Sequence, residues 1–466
     1  MNETAFDDAL TSTEYRARSA PMFLGRIPAY DEKAHTSAYA LFGSDGIDDR
    51  RPFGDRDIAT RRLFRAIGAV ANLDDLITGR DVWVPCPADG AGVPANLAPQ
   101  RTVLTFDPSA VAAPEFATRS ERLRRHGYRV ALDVSGGAEN YGALGLSVLA
   151  NAESVDPFRL AHELGIDEFL DAVMVGVAAG QEDQLAAVAA EARRRKIISM
   201  AVGVETVTMA ERWAGVFDLC VGRFVFQPSD VGPAGSVDRL AAVHLLAELE
   251  RPNSTFEDVE RVIGRDPSLV LRMLALVNSG MFSLPRRIDT TRAALVMLGL
   301  RNVRQLALAV TLHSVTAVAP ELTMTALVRA RHCELLAASV GLRSDVAFTV
   351  GLLSLVGTFT GRPTEEALSS LPLTAEVVNA IGRQSGLLGD ILAAVLCCER
   401  GRISTACLIL DALAPSTTGP AANTGVLAST STEAIVWAER LRAGSAMVVP
   451  APAPPLRQGG RLFRRP

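Results

Sequence analysis

Few side chains in this sequence are equipped for chemistry, and their placement already excludes several reactions. Lysine occurs only at Lys33 and Lys196, and neither follows a glycine-rich loop, so a phosphate-binding loop with lysine on the phosphates is ruled out. Six cysteines, Cys86, Cys220, Cys333, Cys397, Cys398 and Cys407, stand in apolar contexts without metal-ligand spacing and read as buried thiols of a reducing compartment. His332, inside RARHCELLA, reads as a helix-packing residue. The basic runs Arg193-Arg194-Arg195-Lys196 and Arg461, Arg464, Arg465 read as a solvated helix face and a free end. With a net charge of −5 and a pI near 5.8, the chain lacks the basic surface that phosphate neutralisation requires, so nucleic acid is not an expected partner.

The elements that must position any site divide into two kinds. From Met22 onward, MFLGRIPAYD, HTSAYALFG, DVWVPCP, RTVLTFDP, RVALDVS, AVMVGV, IISMAVGVET and LCVGRFVF are short valine-rich runs that predict strands. Helical patterns at about 58–71, 115–126 and 181–195 alternate with them, which predicts a parallel α/β barrel whose chemistry sits at the carboxyl ends of its strands. After PAGSVDR the pattern becomes helical throughout. Asp266-Pro267 marks a helix start, and Leu269, Val270, Met273, Leu274 and Val277 form its apolar face up to the Asn278-Ser279-Gly280 corner. Ala294, Leu295 and Leu298 make the next stripe, with Gly299 placed to close it. Residues 1–18 are expected to be a flexible leader, 19–235 the barrel, 236–442 the helical domain with a loop insert at 414–432, and 443–466 a Pro-rich disordered tail. No leader peptide and no stretch of 18 apolar residues occurs, so a cytoplasmic protein with no membrane partner is expected.

The segments DPSLVLRML, LVNSGMF, RRI and AALVMLG, continued by LRNVRQLALAVTL, ARHCELLA, DVAFTVGLLSLVG and CCERG, resemble the HDOD domain, a helical relative of the HD phosphohydrolases without their metal ligands. LGRIPAYD, GYRVALDVS, AVGVET and CVGRFVFQP resemble the EAL domain, the barrel that hydrolyses cyclic di-GMP with carboxylate-held divalent metal. The resemblance implies an N-terminal degenerate EAL-type (β/α) barrel followed by a C-terminal HDOD helical bundle. It also implies that metal-ligand positions are substituted. Ala40 stands for the signature glutamate, Pro85 for the asparagine, Thr105 for a second glutamate and Val134 for the second of two aspartates. Met174 and Gly176 replace a lysine and an aspartate, and Val221 a glutamine; Ser44 stands where an arginine is expected. Asp133 and Glu205 remain as ligand-site candidates, and Arg26 and Arg223 face either a ligand or a carboxylate of the fold. In the helical half His244, His313 and His332 are too few for a metal site, and none precedes an aspartate. Asp266, Pro267, Asn278, Ser279 and Gly299 carry the HDOD signature, and Arg286-Arg287 adds a further exposed feature.

The expectation is therefore a bacterial regulatory protein without catalytic residues, metal or cofactor, acting through protein contacts. A receptor for cyclic di-GMP without hydrolysis is the alternative, and a weak phosphodiesterase the third reading. An unidentified signalling protein, cyclic di-GMP and a second copy of the chain are the partners compatible with it.

Overall fold

The structure, a computed structural model, describes residues 22–44, 56–70, 72–90, 92–135, 156–177, 180–222, 224, 248, 255–265, 267–278, 288–315, 320–369, 371, 373–414 and 420–446. Eight strands close a barrel in sequence order: β1 (Phe23–Tyr30), β2 (Thr36–Ser44), β3 (Asp81–Pro85), β4 (Thr102–Phe106), β5 (Arg129–Val134), β6 (Ala172–Gly176), β7 (Ile198–Val202) and β8 (Leu219–Val221). β1 runs antiparallel to both β2 and β8, and every other neighbouring pair is parallel.

Strand alternation sorts the side chains into two layers. Ala29, Ala38, Trp83, Val103, Ala131, Ala172, Met174, Met200 and Val221 fill the interior, where four alanines leave room for the indole. The intervening residues, among them Tyr39, Val84, Leu104, Leu132 and Val173, pack outward. The helices in this half are α1 (Arg56–Ala69), α2 (Asp74–Ile77), α3 (Pro108–Val111), α4 (Phe116–Arg125), α5 (Pro157–Glu163), α6 (Glu182–Arg195) and α7 (Val207–Trp213). Capping residues set several of their starts: Asp107, Asp156 and Thr206 each accept a backbone N–H of the first turn.

The second half is helical: α8 (Phe256–Gly264), α9 (Pro267–Val277), α10 (Thr291–Val315), α11 (Pro320–Ser339), α12 (Ser344–Leu353), α13 (Val356–Thr360), α14 (Thr364–Ser369), α15 (Ala375–Arg383), α16 (Leu387–Glu399), α17 (Ile403–Leu413) and α18 (Pro420–Ala446). Leu269, Met273, Val277, Ala294 and Leu295 are buried on one core, as their spacing predicts. Asn278 clasps the corner after α9: its amide donates to Leu274 O and Ile288 O at 2.7 Å each, and its Oδ1 accepts from Ile288 N at 2.8 Å. Gly299, at φ +81°, kinks α10 between two helical runs, so the expected end of a helix is there but a second helix follows at once. Asp266, Ser279, Arg286, Arg287 and residues 1–18 lie outside the described residues, as do the side chains of Pro267 and His313 and the segment around His244.

One expectation is corrected. Residues 420–432 of the expected loop insert and 443–446 of the expected tail belong to one helix, α18 (Pro420–Ala446), together with the stretch between them. Its small residues carry no strong apolar period, but they let it lie close against its neighbours: Leu427, Ser431, Ala434, Ala438 and Leu441 are buried, and Asn423 Nδ2 donates to Cys407 O. The segment Ala375–Glu399 is long and apolar enough by composition to cross a membrane. It is broken at Gln384–Gly386, however, and α15 and α16 both pack into the helical core.

The hairpin β1–β2 has a tight turn where the other barrel connections have α-helices, apart from β3–β4, which carries a 3₁₀ turn at Pro99–Arg101. Among the described residues its outer face is covered by α1, by Leu76 of α2 and by the helical half, through α18 and the start of α11. Leu24, Tyr30, Tyr39 and Leu41 thus share a core with Ile435, Val436 and Val328.

Candidate functional site

The carboxyl ends of β2 to β8 define the mouth of the barrel. Just beyond the interior cluster the inward positions are Ala40, Pro85, Thr105, Asp133, Gly176 and Val202, each two residues past an interior side chain of its own strand. Met174 and Val221 belong to the interior cluster itself. Val134 faces the other way, into the layer beneath the helices. Asp133 is the acidic residue of this inward set. Its Oδ1 accepts from Ser135 N at 2.9 Å and from Ser135 Oγ at 2.6 Å, which fixes the carboxylate at the end of β5.

Close backbone packing shapes the rest of the mouth. A Cβ at Gly176 would lie 2.8 Å from Ser135 O, so the turn that holds Asp133 runs across the end of β6, where a longer side chain would displace it. A Cβ at Gly222 would lie 1.9 Å from Val204 O; only glycine lets the end of β8 approach the β7–α7 loop. That loop presents Glu205, exposed, one residue before the Thr206 cap of α7. Among the described residues no three His, Cys, Asp or Glu side chains come together as a cation's ligand set.

The two arginines offered by the sequence lie differently. Arg223 is outside the described residues. Arg26 is on the outer face of β1, where it forms an ion pair with Glu439 of α18 at 2.8 Å, both side chains being almost fully buried. It also donates to Leu76 O and lies 4.3 Å from the Tyr39 ring centroid. Nearby, Thr36 Oγ1 donates to Glu321 Oε2 of α11 at 2.8 Å, and Arg442 Nε donates to Glu439 Oε2. Burial, reinforced by the Glu321 charge, pushes the Tyr39 phenol up to about 12. Thr36, Tyr39, Glu321 and Glu439 could not be singled out from the sequence, since each is an ordinary residue of its own element and acquires its role from a distant one.

Other groups with chemical potential are accounted for by packing. Burial raises the thiols of Cys220, Cys333 and Cys398 far from the reactive range. His332 is fully buried in α11, and desolvation lowers it to about 4. In the basic run, Arg193 donates to Gly215 O and Val216 O, Arg194 and Arg195 to Glu191, and Arg195 also to Asp167.

Fold and site together define a chain in which a closed eight-stranded barrel is followed by a helical region that includes an HDOD domain. Residues 240–366 match the family model of the HDOD domain. Over 385 residues the chain is 25% identical to the cyclic di-GMP phosphodiesterase CdgJ of Vibrio cholerae, covering 81% of this chain and 85% of that protein. It is 23% identical over 369 residues to the uncharacterized protein YuxH of Bacillus subtilis, covering 77% and 86%. Among solved structures it is similar to the FimX EAL domain from Pseudomonas aeruginosa bound to c-di-GMP, at 11% identity and a TM-score of 0.34, over 48% of this chain and 97% of that one.

These relatives correct one expectation. Absence of enzymatic activity was inferred from substituted strand positions, but a protein matched along 81% of the chain is named a phosphodiesterase. Cations also take oxygen ligands from loop carbonyls and water, which a position-by-position reading of strands does not count.

Proposed function

We propose that the chain works in cyclic di-GMP signalling, with the mouth of the barrel taking the nucleotide and the helical region passing its state to a protein partner. The observation that carries this reading is the likeness to CdgJ along both halves of the chain. The mouth supports it in part: Asp133 and Ser135 offer a fixed acceptor and a hydroxyl to a guanine or ribose edge, and Glu205 stands on the adjacent rim. The activity for which CdgJ is named favours a second reading, in which water attacks one phosphorus of the bound ring, a P–O bond breaks with the proton passing to the released oxygen, and a linear dinucleotide leaves.

Calorimetric titration of cyclic di-GMP in the presence of Mg²⁺, followed by chromatography of the nucleotide, tests both. Saturable binding in the micromolar range or tighter is expected, weakened about tenfold or more in the Asp133→Ala, Glu205→Ala double variant. A linear product absent from the protein-free control supports hydrolysis. A folded protein that gives no saturable heat would sink the nucleotide reading.

A further inference from the structure

The hairpin β1–β2 is longer than the barrel it belongs to. β8 pairs only with Ala29 and Tyr30, and β3 only with Ala38 to Ala40, whereas β1 and β2 pair with each other from Phe23↔Ser44 down to Tyr30↔Thr36. Residues 23–28 and 41–44 therefore form a two-stranded arm. Since β2 is parallel to β3, the arm projects from the carboxyl-end side, beside the mouth.

The arm is held on both faces by the helical region. Its outer face carries Arg26, ion-paired with Glu439, and at the base of the hairpin Thr36 binds Glu321. On the other face the Phe42 ring lies across Gly25, where a Cβ would sit 2.2 Å from it, and a Cβ at Gly401 would lie 3.4 Å from the same ring. Phe23 is buried with Cys333, Leu336 and Ala337 of α11. Alternate residues of a single strand thus face different things: Ala40 belongs to the mouth, and Tyr39 contacts the guanidinium that pairs with α18. A strand cannot shift one face without shifting the other.

We propose that this arm couples the barrel mouth to the helical region, with Arg26 and Glu439 as positioning residues that set where it rests. A ligand in the mouth bears on β2 beside Ala40, and its occupancy changes the hold at Arg26–Glu439. By linkage, the state of that hold changes the affinity of the mouth. The proposal rests on the nucleotide reading given above.

The test uses the full chain, with hydrogen exchange followed by mass spectrometry on peptides covering 23–30 and 433–442, without and with saturating cyclic di-GMP. The variants are Glu439→Gln, which removes the charge but keeps the shape, and Thr36→Val, a milder loss on the same interface that leaves the ion pair intact. The expected result is a change in exchange of α18 on ligand binding, and a shift of affinity of about fivefold or more in Glu439→Gln, smaller but of the same sign in Thr36→Val. The signs are tied. If nucleotide loosens α18, weakening the hold must tighten binding; if nucleotide protects α18, weakening the hold must weaken binding. Wild-type binding with unchanged exchange and unchanged variant affinity overturns the coupling alone, as does the opposite pairing of signs. Absence of binding by the wild type overturns the nucleotide reading, and the coupling falls with it.

Discussion

At the scale of single residues, His332 shows how burial turns a titratable group into a pH-dependent term in stability. The ring is 2% exposed, and its Nε2 meets no hydrogen-bond partner among the described residues, so protonation in the folded state is opposed by desolvation. With a folded value of about 4 against an ordinary 6.5, the unfolded chain binds the proton more readily between these two pH values. Stability is therefore lost as pH falls through that window, by about 2 kcal/mol between pH 7 and pH 5. His332→Leu is expected to remove this loss. Urea midpoints of wild type and variant at the two pH values measure it, and parallel shifts in both proteins would refute the assignment. Glu439 illustrates a different residue-scale effect: buried with Arg26, it anchors a contact whose loss on one side alone strands a charge.

At the scale of elements, the corner after α9 depends on one side chain. Asn278 was legible as a polar break between two apolar stripes, but two of its three side-chain hydrogen bonds, those to Ile288, come from the return of the chain and only the one to Leu274 O from its own helix. Asn278→Ala removes the partner of the Ile288 N–H and of the Ile288 carbonyl next to a buried side chain, while Leu274 O still accepts from the backbone N–H of residue 278. A cost of about 2 kcal/mol follows. Chemical denaturation at constant pH checks it, and a change under about 0.5 kcal/mol would mean that the corner is set by packing alone. Gly299 was equally legible, because only a residue without Cβ adopts its positive φ cheaply. Helix α18 was not legible. Serine, threonine and glycine favour loops in isolation, and only the cleft between α11, α17 and the barrel makes a helix of them. Inside it, Ser429 and Thr430 return their hydroxyls to Val426 O.

At the scale of the whole molecule, the two halves share an interface too buried to open without cost. Charged groups, tyrosines and a strand of one half complete the core of the other, so barrel and helices are expected to unfold as one cooperative unit. The three tryptophans allow a direct check, since Trp83 and Trp213 report the barrel and Trp437 lies on α18. A Trp437→Phe variant and a Trp83→Phe, Trp213→Phe variant should each show a fluorescence transition that coincides with its own far-ultraviolet dichroism. Two separated transitions in either would show that the halves are independent domains.

The sequence by itself determined the order and kind of the elements. Valine-rich runs with helical segments between them specify strands buried on both faces, and apolar stripes ending at Asn278 and Gly299 specify the helical corner, because period and capping are properties of a few consecutive residues. Resemblance to the EAL pattern singled out Ala40, Pro85, Thr105 and Asp133, and the strand registers put them on the inward face. Tertiary structure alone decided which surface covers the helix-free hairpin, that Arg26 meets Glu439 and not a ligand, and that Gly176 lies beneath Ser135. Local pattern encodes whether a side chain is to be buried. It does not encode which distant element buries it, and in this protein those distant pairings join the candidate site to the rest of the molecule.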